Sequence, residues 1–214
     1  MIRHFIAVAG AAVISTGAMA SVYTSDAAFT AAAGATPLML QSFESAPGGT
    51  ATSLVFSNVT FKCTGTTYCP GFFGQSTFLQ TDGRYSVFFA TPDTATFTFS
   101  SAITTFGVDV IGLGDIGATT FSINDGTGPQ ALQTNYSAPA ATVTFAGLIN
   151  SAGFTTVTFS GTQRNDGIFF DRLRFGGSVG PAVPEPVTWA LMLVGFGAVG
   201  TAMRRRPTTA IRYA

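Results

Sequence analysis

Histidine occurs once in this 214-residue chain, as His4, lysine once, as Lys62, and tryptophan once, as Trp189, while cysteine is confined to Cys63 and Cys69. The first scarcity excludes the most. His4 falls inside an N-terminal leader, so the remaining body has no histidine and can form neither a Ser-His-Asp or Cys-His arrangement nor a histidine-based zinc site. Two thiols are too few for a thiolate metal centre. Basic residues are also sparse: between Ser21 and Pro184 nine carboxylates face five basic residues, a net charge of −4. Such a body cannot neutralise a run of phosphates, which excludes nucleic-acid binding. Carboxylates alone are left for chemistry, and a glycosidase needs two of them about 5 to 9 Å apart. No pair stands out. The pairs Asp82-Gly83, Asp125-Gly126 and Asp166-Gly167 read as turn chemistry, so the chain is read as a non-enzyme.

What is abundant is phenylalanine, 21 residues of it, set among Thr, Ser and Gly. That composition favours pleated, half-buried strands. The segments Ala95-Thr96-Phe97-Thr98-Phe99, Thr142-Val143-Thr144-Phe145 and Thr156-Val157-Thr158-Phe159 alternate Thr with an apolar side chain, the period of an antiparallel strand buried on one face. Further strands are expected over 38–43, 53–62, 85–90, 103–111, 118–124 and 166–175, separated by Gly, Pro, Asn and Asp clusters. Short strands at that spacing predict a mainly β body, an antiparallel β-sandwich of jelly-roll-like type, over 21–175. One helix is expected over Asp26 to Ala33, capped by Ser25 and stopped by Gly34, with Asp26 complementing its dipole.

The two ends carry export signals. Arg3, the apolar run Phe5 to Ile14 and Ala18-Met19-Ala20 before Ser21 form the basic, hydrophobic and small-x-small parts of a signal peptide, residues 1–20, which directs the chain to the Sec machinery. In the oxidising compartment that follows, Cys63 and Cys69 are expected to form a disulfide around a short loop; a redox or metal pair would need more ligands. At the other end a linker (176–183) with four Gly or Pro precedes Pro184-Glu185-Pro186. The 17 uncharged residues Val187 to Met203 follow; as a helix they span about 26 Å, just reaching a hydrocarbon core of ~30 Å. Trp189 suits one interface, and Arg204, Arg205 and Arg206 hold the other end in the cytoplasm, with 207–214 as a cytoplasmic tail and the body outside. The spacing Gly195-x-Gly197-x-x-Gly200 lies in this apolar run and follows no strand, so it is not a dinucleotide fingerprint. The stretch Asp109 to Asp115, with Gly112 and Gly114, has a faint likeness to a calcium loop but lacks its carboxylate spacing, and reads as a loop between strands.

The C-terminal order Pro184-Glu185-Pro186, Trp189-Ala190, Gly195-Phe196-Gly197 and Arg204-Arg205-Arg206 resembles the PEP-CTERM family of exported bacterial proteins, although Pro207 to Ala214 run past the short basic end usual there. The resemblance covers about residues 183–206, with 184–206 as the sorting segment, and implies recognition by exosortase, a membrane enzyme that cuts near the tripeptide, after transient anchoring in the inner membrane. It implies release to the cell surface or the medium, in an exopolysaccharide setting. A plain anchor with a proline-rich hinge is the alternative. In the body, Leu40-Gln41-Ser42-Phe43-Glu44 and Phe169 to Phe175 are similar to the first and last strands of jelly-roll carbohydrate-binding modules, which implies a structural calcium on Glu44 and Asp171. Strand alternation places Asp171 with Phe169, Leu173 and Phe175 on an apolar face, where a carboxylate needs a partner. From the residues alone, that partner is a metal, or Arg172, Arg174 or Arg164, or a turn that Asp171 caps. Two functions stay open: a structural or adhesive surface protein of an exopolysaccharide matrix, and a carbohydrate-binding module. For the second, Tyr68, Phe72, Phe73, Tyr85 and Tyr136 are the stacking candidates, Tyr68 and Tyr136 first among them; most Phe are assigned to the core.

Overall fold

A computed structural model of the chain describes residues 20–69, 71–178 and 186–204. Nearly all of the expected signal peptide lies outside them, Ala18 included, as do Pro184, Glu185, Arg205, Arg206, most of the linker and the 207–214 tail. The chain divides into two units, Met1–Val179 and Gly180–Ala214.

In the first unit the order is β1 (Ser21–Tyr23), α1 (Asp26–Ala33), β2 (Leu38–Gln41), β3 (Gly48–Thr50), β4 (Ser53–Val55), β5 (Val59–Thr64), β6 (Phe73–Ser76), β7 (Ser86–Ala90), β8 (Thr94–Ile111), β9 (Thr119–Asn124), β10 (Gln130–Tyr136), β11 (Val143–Gly161) and β12 (Gly167–Gly176). Every strand pairing is antiparallel. Strands β8 and β11 run side by side for most of their length, with a break in register between Ile149 and Phe154. On either side of that break they take different neighbours. The first half of β8 carries β5 on its free edge and the second half of β11 carries β9, which gives the order β4-β5-β8-β11-β9-β10. Their other halves carry β12 and β1, giving β1-β11-β8-β12-β7-β6, with β2 also on β12. Two long strands thus fold across both layers of a sandwich. The sequence shows β8 and β11 as two short strands each, because Ser100-Ser101-Ala102 and Asn150 to Gly153 interrupt the alternation without breaking the strand.

Phenylalanine fills the space between the layers. Phe97 of the first layer lies 5.3 Å from Phe170 of the second, Phe159 is 4.8 Å from Phe170, and Phe61 is 5.1 Å from Phe73. In β8, Ala95, Phe97 and Phe99 are buried while Thr96 and Thr98 face outward, and Thr96 Oγ1 meets Thr158 Oγ1 across the ladder at 2.9 Å. Such edge-on and stacked ring pairs add to what burial of their area already contributes.

The outer face of the second layer is half covered. Helix α1 starts where Ser25 Oγ accepts the Ala28 N–H and ends at Gly34, whose φ is 56°. Its buried Phe29 sits over Gly107 and Gly147, where an added Cβ would come within 2.8 and 2.7 Å of the ring, so only glycine leaves room. Phe145 packs beside it at 5.1 Å and the Arg174 guanidinium lies 5.4 Å above the Phe29 ring. Arg172 bonds Asp109 and Asp26, and Arg174 bonds Asp26.

The second unit contains α2 (Pro186–Arg204), which includes Trp189. Leu191, Leu193, Val194 and Phe196 are exposed on it. Among the described residues no helix is long and apolar enough to cross a membrane; the expected span forms as a helix, but its length was marginal from the start.

Candidate functional site

Two loops, each fixed by carboxylates, hold the two ends of an outward-facing aromatic row whose inner rings are half-buried. The first connects β5 to β6. Cys63 and Cys69 are bonded, with Cα atoms 6.0 Å apart. Asp93, buried just before β8, grips the same loop: its Oδ1 accepts the Thr67 N–H at 3.2 Å and its Oδ2 those of Tyr68 and Cys69 at 2.6 and 2.7 Å. Burial pushes this carboxyl up, but the three N–H bonds more than offset it and hold its pKa below the ordinary 3.8. Tyr68 and Phe72 project from this loop, and the Phe72 N–H closes it on the Tyr68 carbonyl.

The second loop connects β6 to β7. Asp171 Oδ2 accepts the N–H groups of Thr81 and Asp82, both at 2.7 Å, and Glu44 Oε1 accepts those of Arg84 and Tyr85, both at 2.8 Å. Gly83, at φ 66°, lies so close to the Glu44 carboxylate that a side chain there would collide with it. The loop carries Phe78, whose N–H bonds Ser76 Oγ.

Asp171 does not sit where strand alternation puts it. Arg172 has φ 48° and the register of β12 on β8 slips between Asp171 and Arg174, a β-bulge that inverts the alternation. Before it Ile168 and Phe170 face the core; after it Leu173 and Phe175 do. Phe169 is therefore on the outer face, and Asp171 is buried beneath the second loop rather than among Leu173 and Phe175. Arg172 turns to Asp109 and Asp26, and Arg174 to Asp26. Of the alternatives open in the sequence, the turn cap is the arrangement observed. Burial pushes the Asp171 carboxyl up, the Asp82, Thr81 and Arg172 N–H groups work against it, and the charge of Asp82 adds to it. As arranged, Glu44 and Asp171 face N–H donors, and a calcium ion requires oxygen ligands in those positions. The fit to a calcium centre is therefore poor. The one group of three Cys, Asp, Glu or His ligands that converge among the described residues is Cys63, Cys69 and Asp93, and its two sulfurs are bonded to each other.

Between the loops the rings line up across the outer face. Register places Val143, Ile111, Phe169, Phe88 and Gly74 side by side on β11, β8, β12, β7 and β6. Phe169 and Phe88 stack at 5.4 Å; Phe78 lies 6.1 Å from Phe169; Phe72 lies 6.2 Å from Phe88; Tyr68 lies 6.5 Å from Phe72. Phe78 is 77% exposed and Phe72 51%. The row thus runs Tyr68, Phe72, Phe88, Phe169, Phe78, and its rings are tilted or edge-on to one another except for the central pair.

Of the residues picked from sequence, Tyr68 and Phe72 belong to this row. Tyr136 is elsewhere, on β10, packed against the core, and Phe73 is buried. Tyr85 belongs to the clamped loop, with the Arg84 guanidinium 5.7 Å from its ring. Phe78, Phe88 and Phe169 are not among the stacking candidates that the sequence offers; the sign that separates Phe169 is the pair Asp171-Arg172, two charges in succession where the alternation allows one.

Residues 182–206 match the PEP-CTERM protein-sorting motif. No curated protein matches the chain. Among solved structures, the catalytic unit of a thermostable GH87 alpha-1,3-glucanase from Streptomyces thermodiastaticus is 18% identical with a TM-score of 0.35, over 71% of this chain and 28% of that one. The enzymatically active domain of tailspike protein 4 of bacteriophage CBA120 is 18% identical, with a TM-score of 0.32, over 56% of this chain and 19% of the other. A mutant of a family 29 carbohydrate-binding module is 12% identical, TM-score 0.29, over 58% of this chain and 94% of the module. The chain spans less than a third of the glucanase domain.

Proposed function

We propose that this is an exported surface or matrix protein whose β-sandwich adheres to polysaccharide through the outer aromatic row, without catalysing a reaction. The observation that supports it is the row itself: Phe72 and Phe78 lie exposed beside Phe88 and Phe169. A monomer seldom leaves contiguous rings in water without a partner for them, and ring faces are the surface on which the C–H faces of sugars pack. Glu44, Asp171, Asp93 and the disulfide serve by holding the two loops. The calcium role inferred for Glu44 and Asp171 is replaced by that of a loop clamp. In a pull-down of the full chain with exopolysaccharide, the protein is expected in the pellet, and Phe72→Ala with Phe78→Ala is expected to leave it in the supernatant while its melting curve stays put. Equal recovery of both proteins would refute the adhesive face.

The tail gives the route. The sorting motif at 182–206 supports reading the chain as a substrate for an exosortase-type enzyme, after Sec export with cleavage before Ser21 and a transient hold in the inner membrane by the C-terminal apolar run. The recognition elements are Pro184, Glu185 and Pro186, with Trp189 and Arg204 to Arg206 flanking the helix. Intact mass of the protein from cells and medium tests this: a product ending near Pro184 to Pro186 supports processing, and one that keeps Arg204 to Ala214 defeats it.

A further inference from the structure

Asp166 is a buried carboxylate that neither loop clamp uses, and unlike Asp109 and Asp125 it has an oxygen without a partner. It is fully buried just before β12; Oδ2 accepts the Gly114 N–H at 2.9 Å, and Oδ1 has no hydrogen-bond partner. The Asp115 carboxyl is within hydrogen-bonding reach of it, and Asp115 itself is exposed. The loop that brings them together, between β8 and β9, is tight: Gly112 and Gly114 have φ of 83° and 74°, and side chains there would press on the Gly167 and Tyr136 carbonyls. Ser137 Oγ and the Ala138 N–H bond the Gly114 carbonyl and fix its far side. Two carboxylates therefore meet at one point, one orphaned in the interior and one opening to solvent. The ion pairs among the described residues are made by Arg172 and Arg174 with Asp26 and Asp109, so among the described residues no cation answers this pair. A buried anion needs a counter-charge or a proton.

We propose that Asp166 Oδ1 and the Asp115 carboxylate hold a divalent, calcium-class cation at the rim of the sandwich, with water completing its shell. Hard oxygen ligands, one from the interior and one from the surface, suit calcium, and extracellular modules bind it with dissociation constants of about 10⁻⁴ to 10⁻³ M. This site is separate from Glu44 and Asp171, and it does not depend on polysaccharide binding.

The test is calorimetric titration of CaCl₂ into the chelator-treated full chain at pH 7, beside thermal melts with and without calcium. Wild type is expected to bind and to melt higher in calcium. Asp115→Asn, a surface change that leaves folding intact, is expected to bind at least tenfold more weakly. Asp166→Asn is expected to lose the calcium response while melting no lower than wild type in chelator, since it removes an unanswered charge. Glu44→Gln should bind as wild type does. No calcium binding up to several millimolar, unchanged affinity in Asp115→Asn, or loss in Glu44→Gln alone would each overturn the proposal, the first leaving a shared proton as the answer to the buried charge. If Asp166→Asn fails to fold, Asp115→Asn decides by itself.

Discussion

The outer face of the second layer is treated in two ways along one sheet. Over β11 and β8 it is roofed: Phe29 of α1 drops onto Gly107 and Gly147, Phe145 packs beside it, and Asp26, Asp109, Arg172 and Arg174 close the edge. Over β12, β7 and β6 the rings of Phe169, Phe88, Phe72 and Phe78 are left with loops at their ends and nothing over Phe78, which is 77% exposed. Rings on both halves are similar in kind. What differs is whether the chain supplies their cover, and the difference separates residues that stabilise from residues that are available to bind.

Removing the roof gives the largest expected effect. Phe29→Ala deletes a fully buried ring above two glycines that cannot fill the gap, and such losses cost about 3 to 5 kcal/mol. The midpoint of denaturant unfolding should fall accordingly, with polysaccharide binding retained at temperatures where the variant is folded. A shift below about 1 kcal/mol would mean that α1 is not a working part of the core.

Next in size is the disulfide. Closing so short a loop is worth about 2 kcal/mol by loop entropy, so Cys63→Ser with Cys69→Ser should lower stability by roughly that amount. Because the loop carries Tyr68 and Phe72, the same variant should also bind polysaccharide less well, which the roof variant should not. A reducing agent should reproduce both changes.

Asp93 gives a smaller effect with a pH signature. Its folded pKa lies below 3.8; the unfolded value is near 3.9. The sign follows from the folded state holding fewer protons: the contribution of Asp93 is complete above the unfolded value and is lost as pH falls through the folded one. The difference in melting temperature between wild type and Asp93→Asn should therefore be constant at neutral pH and shrink below about pH 4. A difference that grew on acidification would contradict the three N–H bonds assigned to it.

The covered half and the bare half were not equally legible in the sequence. Thr and Phe alternate over β8 and β11, and Ser25, Asp26 and Gly34 mark the ends of α1, because each of these is a local rule written in adjacent residues. The sandwich and the loop-closing cysteines follow from the same kind of sign. The row does not. Its rings come from residues 68, 72, 78, 88 and 169; strand register brings Phe88 and Phe169 together, and the two clamped loops bring the others to them. The bulge at Asp171 and Arg172 changes which side of β12 faces inward, so a reading by strict alternation misassigns Phe169 and Asp171 together. Tyr136 lies apart from the row, half-buried on β10 and packed against the core.

The smallest expected change in stability is the most informative for the comparison. Phe78 is mostly in water already, so Phe78→Ala removes little buried area and should alter stability by no more than about 0.5 kcal/mol, the usual range for surface substitutions. If ring faces bind sugar, the same change removes a contact made only in the complex, and a loss of about 1 kcal/mol corresponds to roughly fivefold in affinity. Affinity electrophoresis in gels containing the exopolysaccharide reads this directly, with Phe29→Ala as the counterpart: one variant should be retarded less than wild type yet melt like it, the other should be retarded as wild type is yet melt early. If Phe78→Ala instead destabilises the fold by several kcal/mol, the bare half is part of the core's support, and the division of this face into a covered and an available region is wrong.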